Sequence, residues 1–283
     1  MRYFLKISFL IFLFVNDLCF SRGRDFDYLN EKLTIITTTS PIPSNPSTAI
    51  LEKSMKSIYA IKDLRNCQKI IVFDGVKDAN EHYHCRKSTE KILIDYEQYK
   101  RNVQALVDDP SNLYFKNIKL LFLDKFSHQA WALKAAMKLV LTPFIYCHQH
   151  DIEIIRPFDV VGIIKSMEIN PNIKLVRACF GENHPSYFDG PLDDHINGNA
   201  LVPLVRTFRF SDVDHFTTVQ FYEEMVFPRV TSPNFAEIFV MEPDFVGMQN
   251  EMLRNHDQWG MYIYGRLGEK TTIKHLDGRE RNG

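Results

Sequence analysis

The chain of 283 residues lacks a surplus of either charge: 34 Lys and Arg against 35 Asp and Glu leave a formal net charge of -1. That excludes a broad electropositive field, and nucleic acid is not an expected partner. Glycine and proline are modest at 12 and 13, with no period and no low-complexity tract, which excludes collagen-like and repeat architectures. No Gly-x-Gly-x-x-Gly follows the first strand-like run and no Gly-x-x-x-x-Gly-Lys-Ser/Thr occurs anywhere, so a dinucleotide-binding unit and a P-loop are both disfavoured. A usable Asn-x-Ser/Thr sequon is missing, because Asn45-Pro46-Ser47 is blocked by its proline. The cysteines match no zinc or redox spacing. No apolar run reaches the roughly 20 residues of a membrane helix, so no stable span is expected.

What is present begins with an address. Arg2 and Lys6 flank the start of the apolar run Ile7 to Val15, and Asn16, Asp17, Cys19 and Ser21 follow it. This order predicts a cleavable signal over 1–21, a mature domain over 22–283, and a place in the secretory pathway, lumenal or secreted. Cys67 and Cys85 lie in polar surroundings where they could pair, whereas Cys147 and Cys179 sit in apolar runs and read as buried thiols. At 45% hydrophobic residues the remainder supports one packed domain.

Along that domain, strand-like and helix-like stretches alternate. Leu33 to Thr38 is a β-branched run that stops at the proline-rich loop Ser40 to Pro46. Ile50, Leu51, Met55, Ile58 and Tyr59 then mark one helical face. Lys69 to Phe73 is a second strand ending in Asp74-Gly75, and Ile92, Tyr96, Tyr99, Val103 and Leu106 have helical spacing. Ile118 to Leu123 is a third strand. Ser127 is placed to cap a helix carrying Ala130, Leu133, Met137 and Val140, and Phe144 to Cys147 is a fourth strand. The alternation predicts a mostly parallel sheet sandwiched by helices, with functional residues beyond the carboxyl ends of the strands.

Those ends carry Thr38-Thr39-Ser40, Asp74, Asp124, and then His148-Gln149-His150-Asp151-Ile152-Glu153. If the fourth strand continued, His148 would pair with His150 and Asp151 with Glu153 on alternate faces. Imidazoles suit Zn2+, whereas carboxylates suit Mg2+ or Mn2+ carrying phosphate oxygens. The same residues also suit the polar end of a buried strand, and Asp74-Gly75 suits a turn.

In order and spacing, residues 33 to 180 resemble the GT-A fold of nucleotide-sugar-dependent glycosyltransferases, family 2 in particular. The resemblance rests on the Ala-rich stretch Ala130 to Lys138 and on the run Thr142 to His148 leading into Gln149-His150-Asp151. It implies a GT-A-like (Rossmann-like) α/β single domain that moves a sugar from a UDP- or GDP-sugar donor to a hydroxyl acceptor on a glycan, glycoprotein or glycolipid, with inversion. It further implies that Asp151 holds Mn2+ or Mg2+ against the donor diphosphate, with Gln149 standing where the family has its first carboxylate. Asp74 would meet the nucleotide base, and Thr38 and Thr39 would lie where base and ribose are cradled, with Gln149 and His150 also on the donor side.

In the carboxyl-terminal half, Asn255-His256-Asp257-Gln258-Trp259-Gly260 precedes Met261 to Gly265 much as the family's acidic motif precedes its helix. The resemblance makes Asp257 the catalytic base; the residue suits a helix N-cap equally. His275 stands where many such enzymes have a carboxyl-terminal metal ligand, and Arg279 suits either a contact to the diphosphate or, better, a solvated tail. Gly181 to Pro185 and Phe188 to Asn199 read as long loops, Asp193-Asp194-His195 included. Trp131 and Trp259 read as core aromatics, Trp259 also as a surface for an acceptor sugar. Two alternatives remain: an inactive relative that binds nucleotide or glycan, motivated by Gln149, and a nucleotidyltransferase, which usually carries a Gly- and Arg-rich loop where this chain has prolines.

Overall fold

The structure is a computed structural model and describes residues 28–76, 89–179, 191–193, 200–207, 210, 213–230 and 254–276. Its amino-terminal half follows the alternation read from the sequence: β1 (Leu33–Thr39), α1 (Ala49–Ala60), β2 (Gln68–Phe73), α2 (Glu90–Asp108), β3 (Ile118–Phe122), α3 (His128–Met137) and β4 (Phe144–Gln149). Then come β5 (Ile152–Ile154), α4 (Val160–Ile169), β6 (Leu175–Arg177), β7 (Pro191–Asp193), β8 (Leu204–Thr207), β9 (His215–Thr218), β10 (Met261–Tyr264) and β11 (Ile273–His275).

Among the described residues the main sheet has the order β3-β2-β1-β4-β9-β6-β10-β8-β7, and β11 and β5 form a separate antiparallel pair. β1 is parallel to both β2 and β4, β2 is parallel to β3, and β10 is parallel to β6. Only β8 and β9 run against the rest, since β9 is antiparallel to β4 and β6, and β8 to β10 and β7. The sheet is mostly parallel, as the alternation predicts; with four residues each, the two antiparallel strands β8 and β9 carry too little pattern to announce themselves.

β1 lies in the middle of the first four strands, and six of its seven residues are buried, which is why its run is apolar and β-branched without alternation. One face of the sheet packs on α1, α2 and α4 through Met55, Ile58, Tyr96, Tyr99, Ile163 and Ile164. The other packs on α3 and on the turn of π-helix Tyr222–Val226, through Ala130, Leu133, Tyr222 and Trp259. Helices therefore cover both faces, as the sequence predicts. Among the described residues no helix is long and apolar enough to cross a membrane.

Local expectations fare unevenly. Thr89 caps α2 by accepting from the Ile92 amide at 3.3 Å, and Asp159 caps α4 by accepting from the Gly162 amide at 2.8 Å. Ser127 precedes α3 but its hydroxyl makes no capping bond; the Asp74 carboxylate performs that task. Cys67 is a buried free thiol within 3.8 Å of the Leu29 carbonyl and 3.5 Å of the Asp63 carbonyl, which corrects its polar-surface reading. Cys85, the signal at 1–21 and Arg279 lie outside the described residues. Pro191–Asp193 is an edge strand and not a loop, while Asp194 and His195 are again outside the described residues. Trp259 is fully buried, whereas Trp131 is 45% exposed and is not a core residue.

Candidate functional site

The strand order places a topological switch point between β1 and β4: the chain leaves β1 towards β2 and β3 on one side, then returns to β4 on the other. In sheets of this kind ligands bind in the crevice beyond the carboxyl ends at such a point. The residues there are Thr38 and Thr39 at the end of β1, and Gln149, His150 and Asp151 at the end of β4.

β4 does not continue past Gln149. His150 and Asp151 form a turn, so the pairing of His148 with His150 and of Asp151 with Glu153 expected for a continuing strand does not arise. The His150 amide donates to the Thr38 carbonyl at 3.1 Å, and its Nδ1 lies 3.2 Å from the same oxygen. Beyond the turn, β5 pairs with β11, with His275 opposite Ile152. The Leu276 amide donates to the Asp151 carbonyl at 2.7 Å, and His275 Nδ1 stands 3.7 Å from Asp151 Oδ2. Two residues 124 positions apart, both expected as metal ligands, are thus adjacent. Glu153, by contrast, lies between Lys53 at 3.2 Å and Lys274 at 3.1 Å, and these lysines hold its carboxyl below the usual range against the opposing effect of burial.

Among the described residues no three His, Cys, Asp or Glu side chains gather as a ligand set. Asp151 and His275 nevertheless fit a divalent cation of the Mg2+ or Mn2+ kind. Such ions usually take only one or two protein carboxylates and complete their shell with water and substrate phosphate oxygens, and imidazole suits the transition metal. Gln149, half-buried at the end of β4, carries a neutral amide oxygen just before this turn.

Asp74, expected at the nucleotide base, is buried at the end of β2. Its Oδ1 accepts from the Gly75 and Ser127 amides at 2.8 and 2.7 Å, and its Oδ2 from the His128 amide at 2.9 Å. Burial outweighs these three bonds and pushes its carboxyl up to about 6. The group ties the β2 end to the start of α3; its structural task is the Asp-Gly turn and a cap supplied from a distance. Thr39 is buried, its hydroxyl 3.2 Å from the Tyr99 hydroxyl, whereas Thr38 remains half-buried at the switch point.

Asp257 is not brought to this site. β4 and β10 run in the same direction; Asp151 follows β4, whereas Asp257 precedes β10, so the two lie at opposite ends of the sheet. Asp257 is exposed in the first turn of the short helix His256–Trp259. The base expected at this position is therefore remote from Asp151, because the strand after it points the same way as the strand before Asp151. A groove of about 600 Å³, lined by Asn30, Asn66, Gln68, Asp109 and Lys119 among others, is also at the amino end, where β2 and β3 begin.

One buried network escapes the sequence reading. Asp214, just before β9, is fully buried; its Oδ2 accepts from the Tyr146 hydroxyl at 2.7 Å and from His148 Nδ1, and its Oδ1 from the Gln149 amide at 3.1 Å. Ser54 Oγ on α1 lies 2.6 Å from His148 Nε2. The run His215 to Val219 after Asp214 is a signal that could have revealed a strand with a carboxylate at its start.

The chain is a mixed α/β fold, a mostly parallel sheet covered by helices on both faces, with a candidate ligand site at its switch point. No family model and no curated protein matches it. Among solved structures it is similar to a mannosyltransferase from Pyrobaculum calidifontis in complex with GDP-Man and Mn2+, at 13% identity and a TM-score of 0.38, over 68% of this chain and 46% of that one. It is also similar to 4-diphosphocytidyl-2C-methyl-D-erythritol synthase from Anaerococcus prevotii, at 11% identity and a TM-score of 0.44, over 88% of this chain and 94% of that one. The chain thus spans less than half the length of the mannosyltransferase. These likenesses concern the fold alone.

Proposed function

We propose that the chain is a glycosyltransferase that moves a sugar from a UDP- or GDP-sugar to a hydroxyl of a glycan, glycoprotein or glycolipid, with inversion and with Mn2+ or Mg2+. The observation that carries this reading is the meeting of Asp151 and His275, 3.7 Å apart, beside the β1/β4 switch point. Asp151 and His275 would hold the cation, with Gln149 at the end of β4 two residues before Asp151. Bound there, the cation supplies positive charge against the leaving diphosphate. Thr38 lines the donor side, and Asp74 acts on it indirectly by tying the end of β2 to the start of α3.

A second reading, a nucleotide-binding protein without turnover, is favoured by two observations: Gln149 carries no charge, and Asp257 lies at the far end of the sheet. The order of residues 1–21 supports secretory entry, which sequencing the amino terminus of the secreted chain tests.

The deciding experiment is the melting temperature of the purified chain with UDP, GDP, CDP or CMP, each with and without Mn2+. A ligand at about 100 times its dissociation constant stabilises by roughly 2.7 kcal/mol, a shift of several degrees. A rise with UDP or GDP that requires Mn2+ and vanishes in Asp151→Ala supports the donor site, and transfer to an acceptor then separates enzyme from binding protein. No shift with any nucleotide overturns both readings.

A further inference from the structure

Ser54, His148 and Asp214 stand in the order hydroxyl, imidazole, carboxylate, with Ser54 Oγ at 2.6 Å from one ring nitrogen and the carboxylate on the other. That is the connectivity of an acyl-transfer triad. Burial rules the reaction out: Ser54 and Asp214 are 0% exposed and His148 is 2% exposed, so no substrate carbonyl reaches the hydroxyl. The network must act on the protein itself.

What it grips is the last turn of chain before Asp151. Asp214 takes the side chains of Tyr146 and His148 and the backbone amide of Gln149, so a single carboxylate spans four residues of β4. Its own carbonyl accepts from the Ala178 amide at 2.8 Å, which anchors it to the end of β6. His148 passes the restraint across to α1 through Ser54. The next residue, His150, is held on the other side by the Thr38 carbonyl, and Asp151 by Leu276. A carboxylate that accepts from three donors fixes their directions, and a buried one does so with little competition from water.

We propose that Asp214 and His148 are positioning residues for the switch-point site: by fixing the end of β4 they deliver Asp151 against His275. The proposal rests on the donor-site reading above. Neither residue touches the ligand; they act through the Gln149 amide and the turn that follows it. The carboxylate also selects the His148 tautomer. Being able only to accept, it takes its hydrogen bond from a proton on Nδ1.

The test uses Asp214→Asn, which keeps size and one acceptor but presents an NH2 to His148. The ring must then carry its proton on Nε2, an inversion visible in the ring nitrogen shifts. In this variant, amide exchange at Gln149 and Asp151 should accelerate at least tenfold, and Mn2+ affinity, measured with GDP or UDP present, should fall at least tenfold. Asp151→Ala should lose the ion while leaving Gln149 exchange at the wild-type rate. Ser54→Ala, the milder change, should move exchange and affinity in the same direction by less, and serves if Asp214→Asn fails to fold. Unchanged Gln149 exchange and unchanged Mn2+ affinity in folded variants overturn the proposal. If the wild-type chain takes up neither Mn2+ nor nucleotide while Gln149 exchange still accelerates in Asp214→Asn, the donor-site reading is what has failed. The network is then a stabilising one only, and the positioning role falls with it.

Discussion

His275 Nδ1 stands 3.7 Å from Asp151 Oδ2 because β11 pairs antiparallel with β5, with His275 opposite Ile152. The separation is too long for a hydrogen bond. Removing either side chain should cost ligand. Asp151→Ala should abolish the Mn2+-dependent part of nucleotide binding, and His275→Ala should weaken it about tenfold, a change of about 1.4 kcal/mol. Titration calorimetry with GDP or UDP and Mn2+ reads both, and wild-type affinity in both variants would remove the metal from this turn.

Asp74 should give the chain a pH dependence of a definite sign. Its carboxyl is pushed up to about 6 in the folded chain by burial, from an ordinary value of 3.8. A raised value means the folded state holds the proton more tightly, so the contribution is complete below about 4 and is lost as pH rises through about 6. Asp74→Asn should remove that slope. Asp74→Ala leaves the Gly75, Ser127 and His128 amides without their acceptor, and should destabilise the chain by at least about 1–3 kcal/mol at neutral pH. Urea unfolding at several pH values measures both effects.

His215 should act in the opposite sense. It is fully buried, with Nδ1 at 2.6 Å from the Val213 carbonyl and Nε2 at 2.8 Å from the Tyr222 hydroxyl, and burial lowers it from 6.5 to about 4. A lowered value means the folded state prefers the neutral ring, so stability is complete above about 6.5 and is lost as pH falls towards 4. His215→Gln should flatten this acid limb in the same unfolding series, leaving the Asp74 contribution in view.

Gly260 closes the short helix before β10 with φ at +56°, and a Cβ built there would lie 2.1 Å from the Asn172 carbonyl oxygen. Gly260→Ala therefore meets both backbone strain and a clash with main chain that cannot rotate away. A loss of about 1–3 kcal/mol is expected, read as a fall in melting temperature. Nucleotide binding at the far end of the sheet should survive wherever the variant is folded.

Cys67 and Cys147 should resist alkylation in the native chain at pH 8 and react once it is unfolded. Both are buried, and burial pushes the Cys67 thiol up to about 11 and Cys147 further still. Counting labelled thiols by mass, with and without urea, checks this.

The sequence by itself determined the first half of the fold. A strand buried on both faces must be a continuous apolar or β-branched run, and a helix on a sheet must repeat its apolar residues every three or four positions. β1 to β4 and the three helices between them could therefore be read directly. It also determined that Thr38 and Asp151 follow strands whose carboxyl ends share one edge of the sheet, since residues that follow parallel strands gather there. Direction and pairing were decided only in the tertiary structure. Strands of three or four residues such as β9, β10 and β11 take their place from hydrogen bonds to distant partners, and nothing local records which way they run. That is why His275 arrives beside Asp151, why Asp257 is left at the opposite end, and why Asp214, 66 residues beyond His148, closes on it within the core.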